Sequence, residues 1–439
     1  MPANVFVRST KLRFEFVFRH ALRASSTIAF CLSRISNICT SVPVVVFVLA
    51  WGFCVWGACA HADEVQRKAP AKAPDGNSDA QGFVHPGIAH SKANIDFVKA
   101  KLSAGQQPWA NAWERLQESS YADLDYQPNP RAHVERGASN HPNIGSSDFS
   151  NDAAAAYTQA LRWVLSDDPR YARKSAEIID AWSTTLKTIQ NHDARLLVGM
   201  EGHLFCNAAE LLRHTWDGWP ESSQQQFRAM ARNVWYPIIK DFYPSANGNW
   251  DASMLQTMIA MGVFLDDHEM FDRAVNYFLA GEGNGAIGNY FNDFGECQES
   301  GRDQTHTQMG LEFLANTCET AWNQGTDLYG AMDNRLLLGF EYTAKYNLGF
   351  DVRYEPFRSF EGRYHYKEIS KRGRLRPMYE KIYSHYHHRN DLPAEFSKQA
   401  LLEIRDRENS GSRNGNRSRN GRRSGGRSSL RWDTLMFAR

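Results

Sequence analysis

The run Gln298-Glu299-Ser300-Gly301-Arg302-Asp303-Gln304-Thr305-His306-Thr307-Gln308 holds eleven residues without one large apolar side chain. It offers carboxylates, a guanidinium, an imidazole, amides and hydroxyls. An apolar helical pattern follows at once: Met309, Leu311, Phe313, Leu314, Ala315, Cys318, Ala321 and Trp322. A helix start uses one or two capping groups, and this run holds many more. With a helix beginning near Ser300, Arg302 and His306 are four apart and share a face. Glu299, seven before His306, lies above that face. One reading is a buried polar network that fixes helix packing. The other is an acid/base site with a positioned imidazole.

The elements that must position these groups are helices. From about His85 the apolar periodicity predicts helices over 94–102, 153–165, 169–186, 204–215, 222–242, 252–264, 268–279, 305–322 and 334–346. Boundary residues separate them, among them Asp167-Asp168-Pro169, Trp219-Pro220-Glu221 and Asp266-Asp267. No alternating strand set appears before Phe350. A long series of amphipathic helices with short turns predicts an all-α chain of stacked hairpins, an α/α toroid or a solenoid. The missing fixed-period repeat disfavours a regular solenoid. Loops between the helices carry the other candidate groups. Asn247-Gly248-Asn249-Trp250 precedes a helix. Gly281-Glu282-Gly283-Asn284-Gly285 lacks the preceding strand and the Lys-Ser/Thr of a phosphate loop. After Phe350 come Arg353, Tyr354, Phe357, Arg358, Arg363, Tyr364, His365 and Tyr366, an aromatic and basic cluster. His203 and His214 lie in an otherwise apolar helix. His203 has reach toward a cleft, although a core position suits both. Trp250, Tyr290 and Trp322 are rings that could stack on sugars.

The chain has 439 residues and a formal net charge of +1, which hides an uneven distribution. Residues 1–62 carry +5 and residues 409–439 carry +7, so the stretch between them carries −11. A body this acidic must concentrate its positive charge if it binds a polyanion. Residues 1–62 read as an export signal with a long basic region, the apolar run from Val42 to Phe53 and an Ala60-His61-Ala62 cleavage site. That apolar run approaches membrane-spanning length, so an uncleaved anchor is an alternative. Residues 63–84 read as a linker, 85–408 as the folded domain and 409–439 as a disordered Arg/Gly/Ser/Asn tail. Beyond the leader only Cys206, Cys297 and Cys318 remain, with no C-x-x-C spacing, so neither a disulfide framework nor a zinc site is expected.

The opening run, then Cys318-Glu319-Thr320-Ala321-Trp322, Asp333-Asn334-Arg335-Leu336-Leu337 and Gly339-Phe340-Glu341-Tyr342-Thr343-Ala344-Lys345-Tyr346-Asn347, resembles the alginate lyase superfamily of polysaccharide lyases. The nearer likeness is to the branch of alginate and glucuronan lyases, family 38, rather than to family 5. It covers roughly 85–390. The resemblance implies an incomplete α/α toroid with a cleft across it. Family 5 carries Asn-Asn-His ahead of a Trp, and later Arg-Ala-Leu-x-Tyr-His. Here Asn247-Gly248-Asn249-Trp250 and Arg302-Asp303-Gln304-Thr305-His306 stand in those places. The first histidine is absent, and a histidine replaces the later tyrosine. A catalytic tyrosine must therefore come from elsewhere. Tyr364, six residues after Arg358, is the choice, and Tyr366 is its competitor.

The implied reaction is β-elimination on a uronic acid polymer, mannuronate-rich alginate or glucuronan. A base removes the C5 proton while an acid protonates the departing O4. The neighbouring carboxylate must be neutralised as charge develops, a task for Asn249, Glu299 and Arg358. Where the C5 proton and O4 lie on opposite faces, His306 is assigned as base and Tyr364 as acid; where they lie on the same face, tyrosine could serve both roles. Arg302, Trp250, Tyr366, Gln298 and His203 are assigned to substrate binding. No metal or other cofactor is expected. The expected partner is an anionic polysaccharide rather than nucleic acid, bound by a periplasmic or secreted monomer with no membrane contact beyond the export signal. Two rival classes are a toroidal glycoside hydrolase using Glu299 with Asp303 or Asp251, and a non-catalytic polyanion-binding scaffold.

Overall fold

The periodic stretches fold as helices. The computed structural model describes residues 82–356, 365–413 and 432–439. The expected export signal and most of the linker lie outside these residues, and so do Arg358, Tyr364 and the middle of the tail. Among the described residues, no helix is long and apolar enough to cross a membrane. The principal helices are α1 (Lys92–Ser103), α2 (Trp109–Gln117), α3 (Ser146–Ser166), α4 (Pro169–Thr185) and α5 (Ala194–Thr215). They continue with α6 (Glu221–Met230), α7 (Tyr236–Ile239), α8 (Gly248–Phe264), α9 (His268–Ala280) and α10 (Ile287–Tyr290). The series ends with α11 (Gln304–Asn323), α12 (Ala331–Asn347), α13 (Tyr379–Tyr383), α14 (Glu395–Arg413) and α15 (Asp433–Phe437).

Helices α3, α5, α8 and α11 pack side by side in that order, and α4 and α9 lie against α3 and α8. This alternation of inner and returning outer helices is an α/α toroid. The inner helices carry apolar or small residues on nearly every side, as an element covered all round must. In α8 every residue except Trp250 is buried. Close approach of α5 to α8 requires glycine at two places. A Cβ on Gly199 would lie 2.4 Å from Ser253 Oγ, and one on Gly202 would lie 2.6 Å from Thr257 Cγ2. Gln256 Nε2 and Thr257 Oγ1 donate to the Gly199 carbonyl at 2.9 and 2.8 Å, which locks the register of the pair.

Three details depart from the sequence reading. A small sheet is present before Phe350: β1 (His133–Arg136) pairs antiparallel with β2 (Asn143–Ile144) and parallel with β3 (Thr188–Gln190). Its strands are too short to show alternation. Helix α11 begins at Gln304, not near Ser300. Asp303 is its cap and accepts the His306 backbone N–H at 2.8 Å, while Glu299 to Arg302 form a tight turn outside the helix. Arg302 and His306 are therefore not successive turns of one helix face.

The third departure concerns the tail. Helix α14 runs through the expected boundary to Arg413, tied to the body by Glu408, whose carboxylate accepts from Arg115 at 2.8 Å. The Glu341 carboxylate caps its start by accepting from the backbone N–H of Phe396 and Ser397. Residues Thr434 to Phe437 are buried. Trp432 Nε1 donates to Thr158 at 3.0 Å, and Asn94 donates to the Met436 carbonyl at 2.8 Å. Helix α15 thus packs on α1, α2 and α13 and joins the last part of the ring to the first. The expectation of a disordered tail to residue 439 fails because the segment Trp432, Leu435, Met436 and Phe437 supplies apolar surface that the ring buries.

Candidate active site

The inner helices α5, α8 and α11 start at the same end of the toroid, and the chemistry-bearing residues gather there. Glu299 is fully buried at its centre. One carboxylate oxygen accepts the Asn249 backbone N–H at 2.9 Å and the Tyr290 hydroxyl at 3.0 Å. The other accepts Arg302 Nη1 at 2.7 Å. These bonds join the first turn of α8, the short helix α10 and the turn before α11 through one side chain. Glu299 is therefore engaged as an acceptor on both oxygens. Its role is to orient Arg302 and the Asn249 turn. Burial works against the Arg302 charge, but the Glu299 carboxylate outweighs it and raises the pKa of the guanidinium.

Asp303 and His306 form a dyad beside this group. His306 Nδ1 lies 2.7 Å from Asp303 Oδ2, and about a third of the imidazole is exposed. Burial raises the Asp303 pKa, but the hydrogen bonds and charge of His306, with Arg302, outweigh that and hold it at about 2. With Nδ1 held by the carboxylate, Nε2 is the nitrogen left to exchange a proton. The sequence reading offers Asp303 only as a hydrolytic carboxylate beside Glu299, not as the partner of His306. Its signal was present, a capping residue three before a histidine at a helix start.

Asn249 is fully buried, and among the described residues neither atom of its side-chain amide has a hydrogen-bond partner. Nearly all buried polar groups in folded proteins are paired, so an amide with neither atom paired among the described residues, next to Glu299, has a donor and an acceptor to offer.

Gln298 does not face the cleft. Its Oε1 accepts the Gly248 backbone N–H at 3.1 Å, and its Nε2 donates to Asn247 at 3.1 Å. Both ends of the amide are used to shape the Asn249 turn. His203 is also set apart: it is buried beyond the second turn of α5, with Nε2 3.1 Å from Asn207. Burial first, then the charge of Lys381, pushes its pKa down to about 3. Tyr290 and Trp322 are buried, so neither offers a face to a sugar. Trp250 is partly exposed.

Arg358 and Tyr364 lie outside the described residues, but both ends of their segment are anchored on the wall. The Glu355 backbone N–H donates to Glu296 at 2.9 Å. On the far side, the Ser370 backbone N–H donates to the Ser300 carbonyl at 3.0 Å. A Cβ on Gly301 would lie 2.2 Å from Tyr366 Cβ, so only glycine lets the segment cross there. Tyr366 lies close enough to Arg302 to help raise the arginine pKa.

Other arrangements fit less well. Glu299 and Asp303 both belong to the α11 wall and do not oppose one another across a cleft. Asp251 is buried and turned aside: it accepts the Tyr277 hydroxyl at 2.7 Å and the Tyr243 backbone N–H at 2.7 Å. A pair of opposed carboxylates for hydrolysis is thus not formed by these residues. A cavity of about 910 Å³ opens between α7 and α9, but Asp241, Glu269, Asp272 and Glu282 line it beside Arg273 and repel a polyanion. Among the described residues, His85, Glu210 and His214 have the types and proximity to ligate a metal. Their two imidazoles stack in parallel, 7° apart with centroids at 4.1 Å. In-plane lone pairs of parallel rings do not converge on one ion, and each ring instead turns a nitrogen toward Glu210. Among the described residues the three thiols, Cys206, Cys297 and Cys318, are buried, with burial pushing each of them up, which leaves none of these as a nucleophile.

No curated protein matches the chain. Several solved structures share its fold. An alginate lyase from Bacteroides ovatus is 12% identical, with a TM-score of 0.52 over 72% of this chain and 99% of the other. A variant of alginate lyase A1-III in complex with a tetrasaccharide is 16% identical, with a TM-score of 0.52 over 69% and 87%. The A1-III enzyme of Sphingomonas species A1 is 15% identical, with a TM-score of 0.50 over 72% and 91%. At such identities the likeness is one of fold. The family model of alginate lyase matches residues 90–351, more than half of the chain. With the toroid and that match together, the chain belongs to the alginate lyase family and is a polysaccharide lyase.

Proposed function

We propose that this lyase cleaves a uronic acid polymer, alginate or glucuronan, by β-elimination at the wall formed by Asn249, Glu299, Arg302 and His306. The observation that carries the reading is the buried Asn249 amide, unpartnered among the described residues, beside an imidazole held by a carboxylate. The Asn249 amide is fully buried, so a sugar carboxylate accepts from it, and from Arg358, once the wall shifts to admit the sugar. Charge that builds at C5 then spreads into a carboxylate already hydrogen-bonded, where preorganised donors lower the barrier most.

His306 Nε2 takes the C5 proton. The C–H electron pair becomes the C4–C5 double bond, and the C4–O4 bond breaks. Tyr364 gives its proton to the departing O4 where base and acid lie on opposite faces. The products are one chain ending in a 4,5-unsaturated uronate and one with a free hydroxyl, so atoms and charge balance. Glu299 and Asp303 touch no reacting atom. They position Arg302, Asn249 and His306. Tyr366, beside Arg302, contacts the bound sugar. The basic start, the apolar run from Val42 to Phe53 and the Ala60-His61-Ala62 site support export, and we take the enzyme to act outside the cytoplasm as a monomer.

The unsaturated uronate absorbs in the near ultraviolet, and hydrolysis products do not. We expect the full chain to generate that absorbance from mannuronate-rich alginate or from glucuronan. Guluronate blocks and hyaluronan serve as comparisons. Reducing ends appearing without the absorbance would overturn the reaction assignment. Y364F and Y366F separate the acid from the binding residue: the first is expected to abolish turnover, the second to raise KM.

A further inference from the structure

The wall containing His306 occupies only the α11 side of α8. On the α5 side, a second group of residues faces the same end of the toroid. Trp250 directly follows Asn249, and its ring meets His192 at 5.5 Å and Tyr243 at 5.5 Å, edge to face in both cases. The Arg195 guanidinium lies over the Tyr243 ring at 5.1 Å. No carboxylate among the described residues forms an ion pair with Arg195, in a body whose net charge is −11. His192 is half exposed, and Asp193 holds its Nδ1 at 2.6 Å. The loop is fixed from behind. The Asp193 backbone N–H donates to the Arg136 carbonyl at 2.8 Å, and Asn191 turns the chain with a φ of 82°.

Partly exposed rings next to a cation that has no ion-pair partner among the described residues are what an acidic sugar needs: an apolar face to lie on and a donor for its carboxylate. We propose that Arg195, His192, Tyr243 and Trp250 form a second uronate subsite, which holds the sugar next to the one that is cleaved. This rests on the proposed β-elimination reading, because the reacting sugar is placed by Asn249. A polymer crossing the starts of the inner helices passes from His306 over Asn249 onto Trp250. Arg195 takes the carboxylate of the second sugar, and the rings take its face. His192 donates to a hydroxyl or to the same carboxylate.

The test is R195A, with R195K as the conservative partner. R195A raises KM for the polymer about tenfold, the worth of one charge-assisted hydrogen bond, with kcat within about twofold. R195K recovers part of the loss. An unchanged KM, or a fall in kcat at constant KM, overturns the subsite. Retardation in gels containing the same polymer gives a readout independent of turnover. In the H306A background, added R195A is expected to weaken retardation several-fold. Should the wild type produce no unsaturated product from any polyuronate, the β-elimination reading falls. The gel then decides the subsite alone: weaker retardation by R195A keeps it, and equal or absent retardation overturns it.

Discussion

Two groups of histidines are embedded in this toroid, and they have opposite surroundings. At the start of α11, His306 keeps a third of its ring exposed and has an ionised carboxylate on Nδ1. In the interior, His203 and His90 are buried near Lys381. Desolvation disfavours the charged imidazole, and the ammonium adds to it, so their pKa values fall to about 3 and about 4. One arrangement can pass a proton in each turnover. The other keeps its rings neutral as hydrogen-bonding parts of the core, with His90 Nε2 2.6 Å from the Tyr157 hydroxyl. The difference lies in the partner and in access to solvent, not in the residue type.

The interior group should be the easier to break by structure. Ending the chain before Trp432 removes the burial of Leu435, Met436 and Phe437, about 1.5–3 kcal/mol each. That sum rivals the whole stability of a typical domain, about 5–15 kcal/mol. We expect Tm to fall by roughly 10 °C or more. An unchanged melting curve would show that α15 adds nothing to the ring.

The wall should break by chemistry. H306A is expected to lower kcat at least about a hundredfold with the fold retained, the usual scale for losing a general base. H203A should instead lower Tm and leave kcat nearly intact. Equal kinetic losses in the two variants would erase the distinction between the groups. D303N sharpens it further. Asparagine still caps the helix, but the charged acceptor on His306 is gone, so kcat should fall ~10-fold, about one charge-assisted hydrogen bond. Full activity in D303N would remove Asp303 from the positioning role.

The smallest effect concerns pH. Burial, only partly offset by Arg376, pushes interior Glu312 up to about 7 from an ordinary 4.5. The folded state therefore binds the proton more tightly than the unfolded one. The associated stability is full below about pH 4.5 and is lost as the pH rises through 7. E312Q mimics the protonated form. Its Tm should match the wild type at pH 4.5 and exceed it at pH 8, as differential scanning calorimetry would show. A constant difference across that range would rule out Glu312 as the titrating group.

Much of this architecture was readable from the chain. The helices follow apolar periodicity, and Asp168, Asp266 and Asp267 mark boundaries where expected. The polar run before α11 advertised itself because so many donors and acceptors rarely precede an apolar helix without a shared purpose. The misreadings have physical causes. Ser300 and Asp303 can both cap a helix, and only tertiary contacts decide between them. Gln298 has the chemistry of a ligand, but its amide happens to match the Asn247–Asn249 turn at both ends. His203 lies in a stretch whose depth in the ring no local pattern encodes. The arginine-rich composition of the tail masked Trp432, Leu435, Met436 and Phe437 at its end. His192, Arg195, Tyr243 and Trp250 come from two separate stretches, and the folded ring alone makes them neighbours.

Closure of that ring by α15 has a consequence for how the protein is made. Asn94 and the Met436 carbonyl, which bond across the seam, are 342 residues apart in sequence. The hairpins of the inner ring form from near neighbours, but the seam waits for one of the most distant contacts in the chain. During synthesis the molecule must pass through an open-ring stage, with the apolar flanks of α1 and α2 uncovered. Aggregation at that stage, rather than loss of the finished fold, is where a weakened seam would first be felt in a cell.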